Sequence, residues 1–119
     1  MTPLESFKQL EVWQAAMDLA ASIYQLTKEF PASERFGLTV QMRRAAVSVP
    51  SNIAEGHRRT KPAYINHIQI ALGSLAEVET QLLLAVRLGI CREKDAEPIH
   101  TLVERTGQML HALLRSLRS

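Results

Sequence analysis

Residues 62–89 read PAYINHIQIALGSLAEVETQLLLAVRLG, and this stretch decides the fold class. Its apolar residues recur at intervals of three and four and never alternate strictly, which is the period of a helix and not of a strand. On a helical wheel Ile65, Leu72, Ala76, Leu83 and Val86 form one line, and Tyr64, Ile68, Ala71, Leu75, Val78 and Leu82 form the line beside it. Ile70 and Leu84 point away from both. Pro62 fits a first helical turn, where its missing N–H has no intrahelical acceptor to lose. Gly89 suits the left-handed residue that follows a last turn. The expected helix, about 62–88, is apolar round its whole circumference at Leu82–Val86, so it needs cover on more than one side.

The same period runs outward from this helix. Pro31-Ala32-Ser33, Gly56 with Thr60-Lys61-Pro62, and Gly89 with Cys91-Arg92-Glu93 break the chain into four periodic segments, which predict helices over about 10–30, 34–57, 62–88 and 94–117. Ser33 is the expected cap of the second helix, with Glu34 in its first turn. Pro50 lies inside that helix and is expected to bend it without ending it, the alternative being that Ser51-Asn52 caps a fresh short helix. Arg115 and Arg118 close the fourth helix, where cations complement the dipole. Short connections make successive helices antiparallel. The expectation is one all-α domain over residues 1–119, an up-down-up-down antiparallel four-helix bundle.

Composition agrees. With 46% hydrophobic and 22% charged residues the chain is globular, and five glycines and five prolines are too few for a many-stranded β protein. Cys91 is the single cysteine, so neither an intrachain disulfide nor a zinc cluster is available and a reducing compartment suits the chain. Met1–Glu11 has no apolar leader core, and the longest purely apolar run, Leu82–Val86, is far short of a membrane span. A cytoplasmic protein without membrane contact is expected.

Surface readings come next. Val40 and Val47 sit on the back of the second helix, as Ile70 and Leu84 do on the third, and the four together predict an interface between copies of the chain. Glu79 falls among Leu72, Leu75, Leu83 and Val86, where a carboxylate is costly unless paired. Arg43 is the expected partner, within one chain or across an interface, with Trp13 Nε1 as a second donor. From Arg35 to Ala76 the acid Glu55 stands alone against Arg35, Arg43, Arg44, Arg58, Arg59 and Lys61. Arg58, Arg59 and Lys61, with Arg44, are therefore the candidate contacts to nucleic-acid phosphates.

Chemistry finds little to stand on. Glu97-Pro98-Ile99-His100 has the Glu-x-x-His spacing of di-iron bundles, but a second such motif is missing: Gln108 precedes His111 by three, and Tyr64 precedes His67. No metal, cofactor or catalytic residue is expected, and the chain does not read as an enzyme. Gly73-Ser74 reads as a close-packing point between helices.

Several stretches also carry a resemblance. Leu10–Ala16 (LEVWQAA), Phe36–Thr39 (FGLT), Gln41–Gly56 (QMRRAAVSVPSNIAEG) and Gly73–Leu82 (GSLAEVETQL) resemble the four-helix-bundle family of proteins encoded in intervening sequences of bacterial 23S ribosomal RNA genes, also labelled S23 ribosomal protein. The last helix is similar only in character. The resemblance implies an up-and-down bundle whose protomers form a ring, a homopentamer in related proteins. The chain also resembles the accessory subunit of diversity-generating retroelements, a basic pentamer that associates with nucleic acid and a reverse transcriptase. Arg43, Arg44, Asn52, Glu55, Glu77 and Glu79 carry over as motif positions. The functional expectation is a homo-oligomeric bundle that binds RNA or DNA through repeated basic surfaces; the alternative is an adaptor that binds another protein without nucleic acid.

Overall fold

The computed structural model describes residues 6–119. Residues 1–5, part of the segment read above for a leader, lie outside them. Four helices follow in order: α1 Glu11–Thr27, α2 Leu38–His57, α3 Lys61–Arg87 and α4 Glu93–Arg118. Among the described residues no strand forms. Helix α1 packs on α2 and α4, and α3 packs on α2 and α4, while the diagonal pairs do not meet. The result is an elongated four-helix bundle, 48 × 23 × 23 Å. Its centre is a continuous column of fully buried side chains, among them Leu19, Ile23, Met42, Ile53, Ile68, Leu82 and Leu110. Burying each such side chain is worth about 1.5–3 kcal/mol, so the column dominates stability.

The first helix stops one turn short of the expected boundary. Glu29 and Phe30 donate to Leu26 and Thr27, three residues back, so the chain tightens before Pro31. The second helix starts a turn late. Ala32–Glu34 form a short 3-10 turn instead, and Glu34 Oε1 accepts from Leu38 N at 3.2 Å. Glu34 thus caps α2 from outside, which displaces Ser33 from that role. Helix α2 runs unbroken through Pro50, which is buried in the core. At the end of α3, Gly89 has φ 73°, Gly89 N donates to Val86 O and Ile90 N donates to Ala85 O. Those two bonds and the positive φ make a Schellman motif.

Glycine roles differ from the reading above. Gly56 does not break the chain. It is buried in the last turn of α2, and a Cβ there would lie 2.8 Å from His67 Cβ and 2.9 Å from Tyr64 Cδ1. Gly56 therefore sets how closely α2 and α3 approach. Gly73, expected at a close-packing point, is exposed with nothing within 4 Å of a Cβ position. The helix wheel explains the exchange: Gly73 falls on the outer line of α3 and Gly56 on the inner line of α2.

Helix α3 is long and apolar enough, by length and composition, to cross a membrane, and 39% of its most apolar window is buried in the bundle. It is a bundle helix with much of its apolar surface outside.

Gly56→Ala tests the α2–α3 approach. Alanine gains about 1 kcal/mol of helix propensity, but overpacking costs about 1–3 kcal/mol. The expected net effect is a loss of up to about 2 kcal/mol in urea unfolding.

Candidate nucleic-acid interface and the polar seam behind it

Antiparallel order sends both the α2–α3 connection and the C-terminus of α4 to the same end of the bundle. Arg58, Arg59 and Lys61 lie in that connection, and all three are exposed. Leu75 faces Gly107 across the α3–α4 seam, which sets the register and brings Arg115 and Arg118 level with the first two turns of α3. A short 3-10 helix, Phe7–Gln9, closes the end and adds Lys8. Arg58 stacks over the Phe7 ring at 5.4 Å, and Phe7 meets Trp13 edge-on at 5.3 Å. Six cationic side chains therefore gather from three separate segments, with Glu11 and Glu55 as the described acids near them. The opposite end carries matched charges: Lys28, Arg35, Arg87, Arg92 and Lys94 against Glu29, Glu34, Glu93, Asp95 and Glu97.

Arg44 is not part of this cluster. It stands fourteen residues before Arg58 on α2, about 21 Å along the axis. Instead it lines an open groove of about 590 Å³ between α1 and α2 with Arg35, Arg43, Val40, Val47 and Tyr24.

Within the chain, Arg43 and Glu79 do not pair. Arg43 Nε donates to Thr27 Oγ1 at 2.8 Å, and its guanidinium lies 4.5 Å over the Tyr24 ring. The Thr27 hydroxyl is itself buried and donates to Ile23 O at 2.7 Å, so its hydrogen-bonding capacity is well used. Glu79 is exposed on the other side of the molecule, in a groove with α4 residues Glu104, His111 and Arg115. The wheel places Arg43 toward α1 and Glu79 toward α4, and neither points across the α2–α3 contact. Trp13 packs on Phe7 and likewise does not approach Glu79. Glu55 precedes Arg59 by four, the spacing of a helical ion pair, but α2 ends at His57, before that spacing can be completed.

Between α2 and α3 runs a polar seam that the sequence reading missed. His67 Nδ1 lies 2.9 Å from Asn52 Oδ1. Asn52 Nδ2 donates to Ser48 O at 2.9 Å and to Ser48 Oγ at 3.1 Å. Ser48 Oγ meets Ser74 Oγ at 2.8 Å. A carbonyl only accepts, so the carboxamide nitrogen must face Ser48 and its oxygen must face His67. His67 then carries its proton on Nδ1, and Nε2 looks toward Glu55 Oε1 at 3.9 Å. The signal was present as a spacing: Ser48, Asn52 and Glu55 share one α2 stripe, and His67 and Ser74 share one α3 stripe. Tyr64 sits at the end of the seam against the His57 ring, and burial pushes its phenol up from the ordinary value.

At the balanced end, α1 and α4 frame an open cleft of about 790 Å³ lined by Leu26, Phe30, Ile90, Cys91, Asp95 and Ile99. Burial pushes the Cys91 thiol up, and the Asp95 carboxylate adds to the effect. Among the described residues no three His, Cys, Asp or Glu side chains converge on a metal-sized space.

A family model of the 23S rRNA-intervening sequence protein matches residues 8–112. The chain belongs to that family. Among curated proteins no sequence relative matches it. One solved relative in fold is the crystal structure of a protein of unknown function from the S23 ribosomal protein family of Bacteroides thetaiotaomicron. It is 24% identical and superposes with a TM-score of 0.81 over 87% of this chain and 95% of its own. That likeness shows the bundle. The stretch from Gln41 to Gly56 that carried the resemblance supplies the Asn52–Ser48 half of the seam and Gly56, so its pattern answers to helix packing.

Two outcomes follow from the seam and the cleft. Asn52→Ala strands His67 Nδ1 and Ser48, with an expected loss of about 1–3 kcal/mol in urea unfolding and an unchanged denaturant slope. Cys91 should be alkylated more slowly than a free thiol at mildly alkaline pH, because a raised pKa leaves less thiolate; Asp95→Asn should speed the reaction.

Proposed function

We propose that this protein is a non-enzymatic, homo-oligomeric bundle that binds RNA or DNA through the basic end of each protomer. The observation that carries this reading is the convergence of Lys8, Arg58, Arg59, Lys61, Arg115 and Arg118 on one end, while the other end is balanced. Phosphate recognition needs several cations with little carboxylate among them, and binding then releases counterions. The exposed N-terminus of α3 adds favourable dipole to the same end. Repetition of this end around a ring would sum modest fields into a strong one. The sequence resemblance to the accessory subunit of diversity-generating retroelements would imply the same reading and a ring of five.

Salt-dependent affinity tests it. Titration of a labelled RNA or DNA oligomer at several salt concentrations should give tight binding at low salt and a steep fall. Replacing Arg58, Arg59 and Lys61 together by Ala should weaken binding and lower the slope of log affinity against log salt by about 2–3. Unchanged affinity in that variant would overturn the assignment to this end. Purified protein with no affinity for either polymer would leave the protein adaptor as the function.

A further inference from the structure

Aromatic rings are set among the charges of the basic end. They interleave with the cations in sequence: Phe7 with Lys8, then His57 with Arg58 and Arg59, then Lys61 with Tyr64. In the bundle the rings form two edge-on pairs, Phe7 with Trp13 at 5.3 Å and His57 with Tyr64 at 5.8 Å. All four rings are only partly buried. The Arg58 guanidinium lies over the Phe7 ring, 5.4 Å from its centroid, and Arg58 is exposed, so its outer side meets solvent. The ring beneath it has a fixed support. Trp13 packs on the hydrophobic core, and Leu10 N donates to Phe7 O at 3.0 Å, which closes the 3-10 turn and holds Phe7 in place. A phosphate requires only the charge of such a cation. A planar cation backed by a ring and open on its other side is a platform for a base.

We propose that the basic end takes single-stranded nucleic acid, with an unpaired base stacked on Arg58 against Phe7 and the flanking phosphates on Lys8, Arg59 and Lys61. The proposal rests on the phosphate-binding reading given above and names the form of the polymer. In a duplex the faces of each base are covered by its neighbours, so a duplex offers this end phosphates alone. An unpaired strand offers phosphates and base faces together. Stacking accepts any base, so little sequence preference is expected. The other two cation–ring contacts lack this setting. Arg35 lies over Phe36 at 5.5 Å, at the end where carboxylates match the cations. Arg43 lies over Tyr24 with its Nε bound to Thr27.

Three labelled probes of one length test it: an unpaired oligonucleotide, the duplex of the same sequence, and an abasic strand that keeps the phosphates and lacks the bases. Wild type should hold the unpaired strand about 5- to 100-fold more tightly than the abasic one. Added salt should release the duplex before the unpaired strand, since a stacked base releases no counterion. Trp13 is the one tryptophan of the chain, and the unpaired strand should quench its emission while the abasic strand does not. Phe7→Ala should remove the advantage of the unpaired strand and leave duplex affinity and the salt slope unchanged, because no charge is lost. Phe7 lies in a turn without buried residues, so this variant should keep the wild-type circular dichroism. Phe36→Ala, at the other end, should bind all three probes as wild type does. Equal affinity of wild type for the unpaired and abasic strands would overturn the stacking proposal without using any variant. So would a Phe7→Ala loss as large for the duplex as for the unpaired strand, or a Phe36→Ala loss as large as that of Phe7→Ala. In each of these cases phosphate binding at this end still stands if replacing Arg58, Arg59 and Lys61 weakens all three probes. A wild type that binds none of the three at low salt overturns both.

Discussion

Helix α3 carries more apolar surface than three companion helices can cover, and the surface properties of this protein follow from that excess. A bundle helix needs one buried stripe. Here Ile68, Ala71, Leu75, Val78, Leu82 and Ala85 provide it, all buried in the core. Ile70, Leu83, Leu84 and Leu88 remain outside, the last 61% exposed. Exposed leucines are ordinary one at a time. Ile70, Leu84 and Leu88 fall on one side of α3 and form an apolar patch on the surface of the chain.

The bundle's topology does the rest with charge. The basic residues are dispersed along the sequence, and antiparallel packing collects six of them at one end. The polar seam behind that end fixes the α2–α3 pair on which the arrangement depends. Gly56 sets the distance, and the relay from His67 through Asn52 and Ser48 to Ser74 satisfies groups that burial would otherwise penalise. Apolar packing alone permits helices to slide by a turn, whereas a directional chain of hydrogen bonds at one register does not.

Periodicity alone revealed the four helices, since a three-and-four spacing dictates both the element and its inner face. It also revealed that Val40, Val47, Ile70 and Leu84 lie outside. Helix ends were less legible because they depend on single contacts. Glu34 caps α2 only because a 3-10 turn brings its carboxylate back to Leu38 N, and spacing does not show that turn. Pairing between helices was least legible. The Arg43–Glu79 pair was inferred from the discomfort of a carboxylate among leucines. A wheel fixes a residue's angle on its own helix and says nothing about which neighbour stands there. Thr27, at the far end of α1, could not be found as the Arg43 acceptor until the register of α1 on α2 was known.

The proposed homo-oligomer requires the outer face of α3 to be dry. Oxidative footprinting read by mass spectrometry measures this directly, by comparing reaction rates at Ile70, Leu83 and Leu84 with that at Phe36, which is 86% exposed. Strong protection of the three aliphatic side chains, disappearing as the protein is diluted, is the predicted result. Rates matching fully wetted side chains at every concentration would contradict the account.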